Sequence, residues 1–228
     1  MRKLLLLTTI LATPAFGADL NRAVPVKAMP APVYDQFSGV YLGINGGYGW
    51  DLGNSAGAFE AVPLGSLNQA SQGFLGGVQG GYGQRFNDFY LGIEGQIDGA
   101  NLTGTANAPG LLTADSKNTW LASVRARLGI ILFNDALFYG TAGWGWGGGE
   151  FTVHDLSGNL LASVNPTMSG FTWGGGIEHP FYGGWRIGLE YLQYDFGSFT
   201  TSSAVQGVSF TQKDRVDTLT LKLGYKFF

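Results

Sequence analysis

Cysteine is absent from the chain, histidine occurs only twice, and charged side chains make up 13% of the 228 residues. Without cysteine there can be no disulfide, no thiolate nucleophile or metal ligand, and no lipid-modified cysteine anchor. The two histidines, His154 and His179, fall in segments expected at opposite ends of the fold. They cannot share a metal, and neither has the Ser–Asp setting of a catalytic triad. Basic runs are missing too, and a formal charge of −3 gives no basis for a nucleic-acid partner. Beyond the amino-terminal stretch, no apolar run approaches the roughly 20 residues that a membrane helix needs.

That stretch, MRKLLLLTTILATPAFGADL, carries Arg2 and Lys3, an apolar run from Leu4 to Ala12, and then Pro14 and small residues. The pattern predicts a secretory signal peptide over residues 1–17, cleaved after Ala15-Phe16-Gly17. Its removal leaves 11 basic against 16 acidic residues. Residues 18–38, with Pro25, Pro30 and Pro32, read as an extended linker on the periplasmic side. An exported chain without membrane helices can enter a bilayer only as a closed barrel.

What the sequence does have is glycine, 38 residues of it, and aromatics at 14%, set within strictly alternating segments. In FYLGIEGQIDG, Phe89, Leu91, Ile93 and Ile97 oppose Tyr90, Glu94, Gln96 and Asp98. The next segment sets Trp120, Ala122, Val124, Ala126, Leu128, Ile130 and Leu132 against Ser123, Arg125, Arg127 and Gly129. A period of two is the signature of a strand with two different faces. Eight such segments are expected, at about 39–50, 72–86, 88–99, 117–133, 136–150, 168–181, 184–197 and 215–228. Tight turns at Asn87-Asp88, Asn134-Asp135 and Phe181-Tyr182-Gly183 alternate with long polar stretches at 51–71, 100–116, 151–167 and 198–214. The reading is all-β: an eight-stranded antiparallel transmembrane barrel over 39–228, with short periplasmic turns and four long extracellular loops.

Periodicity does not say which face is inside. Charge decides against a soluble lipocalin-like carrier, because Glu94, Asp98, Arg125, Arg127, Arg186, Glu190 and Lys222 all share the glycine-rich minority face. A barrel of eight strands has an interior that side chains fill, and a charge there is costly unless paired. Glu94, Asp98, Arg125, Arg127, Glu190 and Lys222 are therefore expected to form a paired network inside. The apolar face carries Trp50, Trp120, Trp144, Trp146, Trp173 and Trp185 near segment ends, with Phe74, Tyr82, Phe171 and Tyr191. These match the aromatic girdles of a spanning barrel. GWGWGG (Gly143 to Gly148) fits G-x-G-x-x-G only formally, since a dinucleotide site needs a helix where this chain continues as a strand. Asn101-Leu102-Thr103 likewise fits a glycosylation pattern without a context that would use it.

The APVYDQFSGVYLGINGGYGW segment, the FYLGIEGQID strand and the final LKLGYKFF resemble the small outer-membrane β-barrel (porin-family) proteins of alphaproteobacteria. These are relatives of the OmpA-like barrels and include major surface antigens. The resemblance spans the mature chain. It implies an integral protein of the cell outer membrane with a structural and surface-antigen role, no enzymatic activity and no cofactor. It also implies outer-membrane lipid and lipopolysaccharide as surroundings. The barrel-assembly machinery would read Tyr225 together with Phe227 or Phe228. Alternatives are a narrow diffusion channel, or an adhesin or binder of a small ligand such as haem through the loops. Barrels that modify lipid acyl chains use a His–Ser pair, for which His154 with Ser157 is the candidate here.

Overall fold

The computed structural model describes residues 35–228 except 52–53, 60–61, 69–70, 109–111, 134, 156, 158–159, 204–207 and 228. Among the described residues the alternating segments become eleven strands: β1 (Gly39–Asp51), β2 (Asn54–Phe59), β3 (Val62–Asn68), β4 (Ser71–Phe86), β5 (Phe89–Ala108), β6 (Leu112–Leu132), β7 (Ala136–Asp155), β8 (Leu160–Val164), β9 (Thr167–Tyr182), β10 (Trp185–Ser203) and β11 (Val208–Lys226). Eight of them make the wall, in the order β1-β4-β5-β6-β7-β9-β10-β11, each antiparallel to its neighbours. β11 pairs back onto β1 from Tyr41↔Lys226 to Asp51↔Val216, which closes the sheet. Closure satisfies the backbone groups that an open edge would leave bare in hydrocarbon.

The polarity of the wall is that of a membrane barrel. Leu91, Val124 and Leu221 are 49%, 47% and 56% exposed on the outside, whereas Glu94 and Arg127 are fully enclosed. A soluble carrier would have the reverse arrangement. Aliphatics such as Ile44, Val78, Ile97 and Leu189 occupy the middle of the outer face.

Three tight turns gather at one end. Phe86 pairs with Phe89 across Asn87-Asp88, Leu132 with Ala136, and Tyr182 with Trp185. The third turn sits at Gly183-Gly184, just past the expected Phe181–Gly183. Both glycines take positive φ (55° and 91°), a conformation that side chains with a Cβ resist.

The opposite end departs most from expectation. Much of the four stretches read as loops is sheet: β5 and β6 stay paired from Leu102↔Asn118 out to Ala108↔Leu112, and β10 and β11 from Ser198↔Lys213 to Ser203↔Val208. β8 folds back on β7, and the hairpin β2–β3 continues the wall by pairing β2 with β11 beyond the end of β1. A strand pair is held by its own ladder of hydrogen bonds, so it need not stop where the bilayer does. The Thr- and Ser-containing sequences there are polar but still favour strand.

Asp35–Ser38, assigned from sequence to the linker, belong to the barrel. The Asp35 carboxylate accepts hydrogen bonds from the amides of Phe37 (3.0 Å) and Ser38 (3.3 Å), forming a compact turn. Lys226 donates to the Asp35 carbonyl, and the Ser38 hydroxyl accepts from the Arg85 amide at 2.8 Å. The turn delivers Phe37 into the turn-end mouth, where it is 1% exposed. Burial acts to raise the Asp35 carboxyl. Hydrogen bonds from Ser38 and the two amides, with Lys226 nearby, hold it below its ordinary range.

Candidate functional site: the sealed polar interior

Alternation on each strand decides what enters the interior. Glu94, Gln96 and Asp98 face inward from β5, Arg125 and Arg127 from β6, Glu178 from β9, Arg186 and Glu190 from β10, and Lys222 from β11. Tyr41 on β1 and Tyr139 on β7 enter at the same level. Glycines on the facing strands give the rings room: a Cβ at Gly81 or at Gly176 would lie 2.6 Å from the hydroxyl of Tyr41 or Tyr139.

Glu94 is the hub. Its Oε1 accepts from Arg125 Nη2 and Lys222 Nζ, both at 2.6 Å. Its Oε2 accepts from the Tyr41 hydroxyl at 2.8 Å and Arg127 Nη1 at 3.0 Å. Glu190 takes the same two cations, Arg125 and Lys222, each at 3.2 Å, and accepts from Tyr139 at 2.8 Å. Glu178 accepts from Arg127 Nη2 and lies 3.5 Å from Arg186 Nη1. Ring faces lie against two of the cations: Arg127 Cζ stands 3.8 Å from the Tyr139 centroid and Arg186 Cζ 4.2 Å from that of Tyr41.

Asp98 is buried on the inner face, but it takes no direct part in the ion pairs. Arg125 Nη2 donates to Gln96 Oε1 at 2.9 Å, and Gln96 Nε2 donates to Asp98 Oδ2 at 2.7 Å. A neutral amide thus relays between cation and fourth carboxylate. With it, the band contains Glu94, Glu178, Glu190 and Asp98 against Arg125, Arg127, Arg186 and Lys222, and its formal charges cancel. Four buried cations facing three carboxylates alone would leave an uncompensated charge in a low dielectric.

Two apolar layers enclose the band. Phe37, Tyr90, Ile131, Leu137 and Tyr139 cluster at the turn end. Leu102, Leu121, Leu192, Tyr194 and Val216, with Ala100 and Phe196 packed on them, cluster at the loop end. The cavity between Tyr41, Glu94, Glu178, Arg186 and Lys222 amounts to about 10 Å³, scarcely the space of one water molecule.

Glu178 was not singled out from sequence, although the parity of TMSGFTWGGGIEHPFY places it with Thr172, Gly174 and Gly176 on the small, inward face. Tyr41 and Tyr139 carry the same signal, opposite in parity to Leu42 and Phe138. On the outer wall, Trp50, Trp120, Trp144, Trp146 and Trp173 lie toward the loop end. Trp185 lies at the turn end, 5.0 Å from the Tyr225 ring. Phenylalanines including Phe86, Phe89, Phe133 and Phe181, together with Tyr182, make up much of the rest of the turn-end belt. Tyr225 and Phe227 stack edge to face at 5.1 Å, while Phe228 lies outside the described residues. Trp144 and Trp146 of GWGWGG point outward from an uninterrupted strand. His154 Nδ1 stands 3.7 Å from Asp115 at the loop end, and His179 is exposed near the opposite turn.

The chain is 34% identical to the 31 kDa outer-membrane immunogenic proteins of Brucella melitensis and Brucella suis, over 97% of its own length and 97% of theirs. Among solved structures, its fold is like that of the outer membrane protein OprG from Pseudomonas aeruginosa. The TM-score is 0.56 at 10% identity, covering 84% of this chain and 99% of that one. The model of the outer membrane protein beta-barrel domain matches residues 23–227. With a closed eight-stranded wall, apolar outside and charged within, this chain belongs to the outer-membrane β-barrel family and resides in the outer membrane.

Proposed function

We propose that the protein is a non-catalytic surface scaffold of the cell envelope, a sealed barrel that anchors four protruding hairpin regions outside the cell. The observation that carries this is the interior, in which a neutral ion-paired band lies between two apolar layers and the cavity beside Glu94, Glu178 and Lys222 holds about 10 Å³. Such a barrel has little to offer a diffusing solute, which argues against the narrow-channel reading. The immunogenic character named for the Brucella relatives supports a surface-antigen role for the extensions at 51–71, 100–116, 151–167 and 198–214. In this reading residues 1–17 direct export; they and residues 18–34 of the expected linker lie outside the described residues. The tryptophans set the depth of the wall in lipid, and Tyr225 with the phenylalanines after it serves as the assembly signal. Lipopolysaccharide and phospholipid are the partners of the wall. The test joins two measurements on folded protein. Planar bilayers should show no sustained conductance, and an epitope tag within 158–159 should be reached by antibody on intact cells. Frequent large current steps, or a tag reached only after permeabilisation, would overturn the proposal.

A further inference from the structure

One carboxylate is on the wrong side of the wall. Inward positions of β11 are Val216, Thr218, Thr220 and Lys222, so Asp217 points outward, yet it is only 1% exposed. Its cross-strand partners are Trp50 on β1 and Gln193 on β10, and Gln193 in turn pairs with Trp173 on β9. The outer face thus carries a row Trp50–Asp217–Gln193–Trp173 within the loop-end aromatic belt, two tryptophans bracketing an acid and an amide. Below it, the Tyr191 hydroxyl donates to Asp217 Oδ1 at 2.6 Å, with its ring 6.4 Å from that of Trp50. Above it, Arg215 approaches with Nη2 3.5 Å from Oδ1 and Nε 3.4 Å from Oδ2.

An apolar residue at 217 would seal against lipid at no electrostatic cost. The acid instead fixes the direction of Arg215. Guanidinium has five donors in a rigid fork, and the edge held by Asp217 turns the rest outward: 43% of the Arg215 side chain is exposed. An oriented arginine one step beyond the aromatic row, paired across the strands with Asp195, suits a phosphate oxygen at the level where a belt of tryptophans meets lipid head groups. On the proposed orientation this end faces the outer leaflet. We infer that Arg215, held by Asp217 and Tyr191 just beyond the row that Trp50 and Trp173 bracket, binds the phosphorylated sugar head group of an outer-leaflet glycolipid. The inference rests on the outer-membrane scaffold reading and names one lipid contact within it.

The experiment is native mass spectrometry of the folded protein in detergent, titrated separately with diphosphorylated lipid A, its dephosphorylated form, phosphatidylglycerol and inorganic phosphate. Wild type should retain diphosphorylated lipid A, and Arg215→Ala should weaken that retention about tenfold, the loss of one charge-assisted contact. Arg215→Lys should recover it only partly, because the fork is lost. Arg85→Ala, at the opposite rim, should retain as wild type does. Equal retention by wild type and Arg215→Ala would overturn the inference. Equal binding of the dephosphorylated form or of phosphatidylglycerol, or binding of phosphate alone, would overturn it too. The heat-dependent gel shift of each sample separates the two levels. A shifted, folded barrel that ignores lipid A defeats this inference only, whereas a wild type that never shifts defeats the barrel anchor itself.

Discussion

Lys222 on β11 and Glu94 on β5, 128 positions apart in sequence, meet at 2.6 Å although their strands are not neighbours in the wall. The pair therefore braces the barrel across its interior. Glu94→Gln should lower unfolding stability by about 3–5 kcal/mol, because it leaves buried cations without their shared anion. Lys222→Met should be similarly costly, and the double variant should cost clearly less than the two together. Urea titration in lipid vesicles, followed by tryptophan fluorescence, checks both statements.

The stopper at the turn end gives a second outcome. Phe37 packs edge to face on Tyr90 with centroids 6.1 Å apart and lies 5.8 Å from Arg186 Cζ. Phe37→Ala should cost about 3 kcal/mol in the same titration, the low end for a buried phenylalanine, since the short segment bearing it can readjust.

Acid should loosen that segment. The Asp35 carboxyl is held below its ordinary range, so its contribution is complete above the unfolded value and is lost as pH falls through the folded one. Hydrogen exchange at the Phe37 and Ser38 amides should accelerate as pH drops through the acidic range, after correction for intrinsic rates. In Asp35→Asn that extra acceleration should be absent.

Two glycines should behave oppositely. A Cβ on Gly145 would stand 2.2 Å from the Thr172 hydroxyl and 2.7 Å from the Tyr194 ring, whereas Gly46 on the outer wall faces open space. Gly145→Val should fail to give the heat-shifted band of a folded barrel, and Gly46→Val should give it as wild type does.

The wall was legible in the sequence because each strand shows lipid one face and the interior the other, so Leu91 against Glu94 or Val124 against Arg125 declares its orientation residue by residue. The network was legible only in part. Parity puts Glu94, Arg127 and Lys222 inside, but which cation reaches which acid depends on distances across the interior that no single strand encodes. Asp98 shows the limit, since its link to Arg125 through Gln96 depends on the height of three side chains at once. The hairpin extensions were hidden for another reason. Outside the bilayer both faces can be polar, so the alternation that marks a strand fades while its hydrogen bonds continue. Asp217 fell within the expected last strand, but nothing in its own segment shows that the Tyr191 hydroxyl of the neighbouring strand and Arg215 would surround it.

The brace between β5 and β11 also constrains how the wall can come together. A curved sheet that has formed β1 through β10 but has yet to receive β11 already holds Glu94 and Glu190, and still lacks the ammonium group they share. Until that strand docks, Arg125 and Arg127 are there but the place of the shared ammonium must be taken by water, which lipid does not supply. Sealing the circumference and drying the interior are then a single event, and a half-made cylinder has no comfortable resting place within the bilayer.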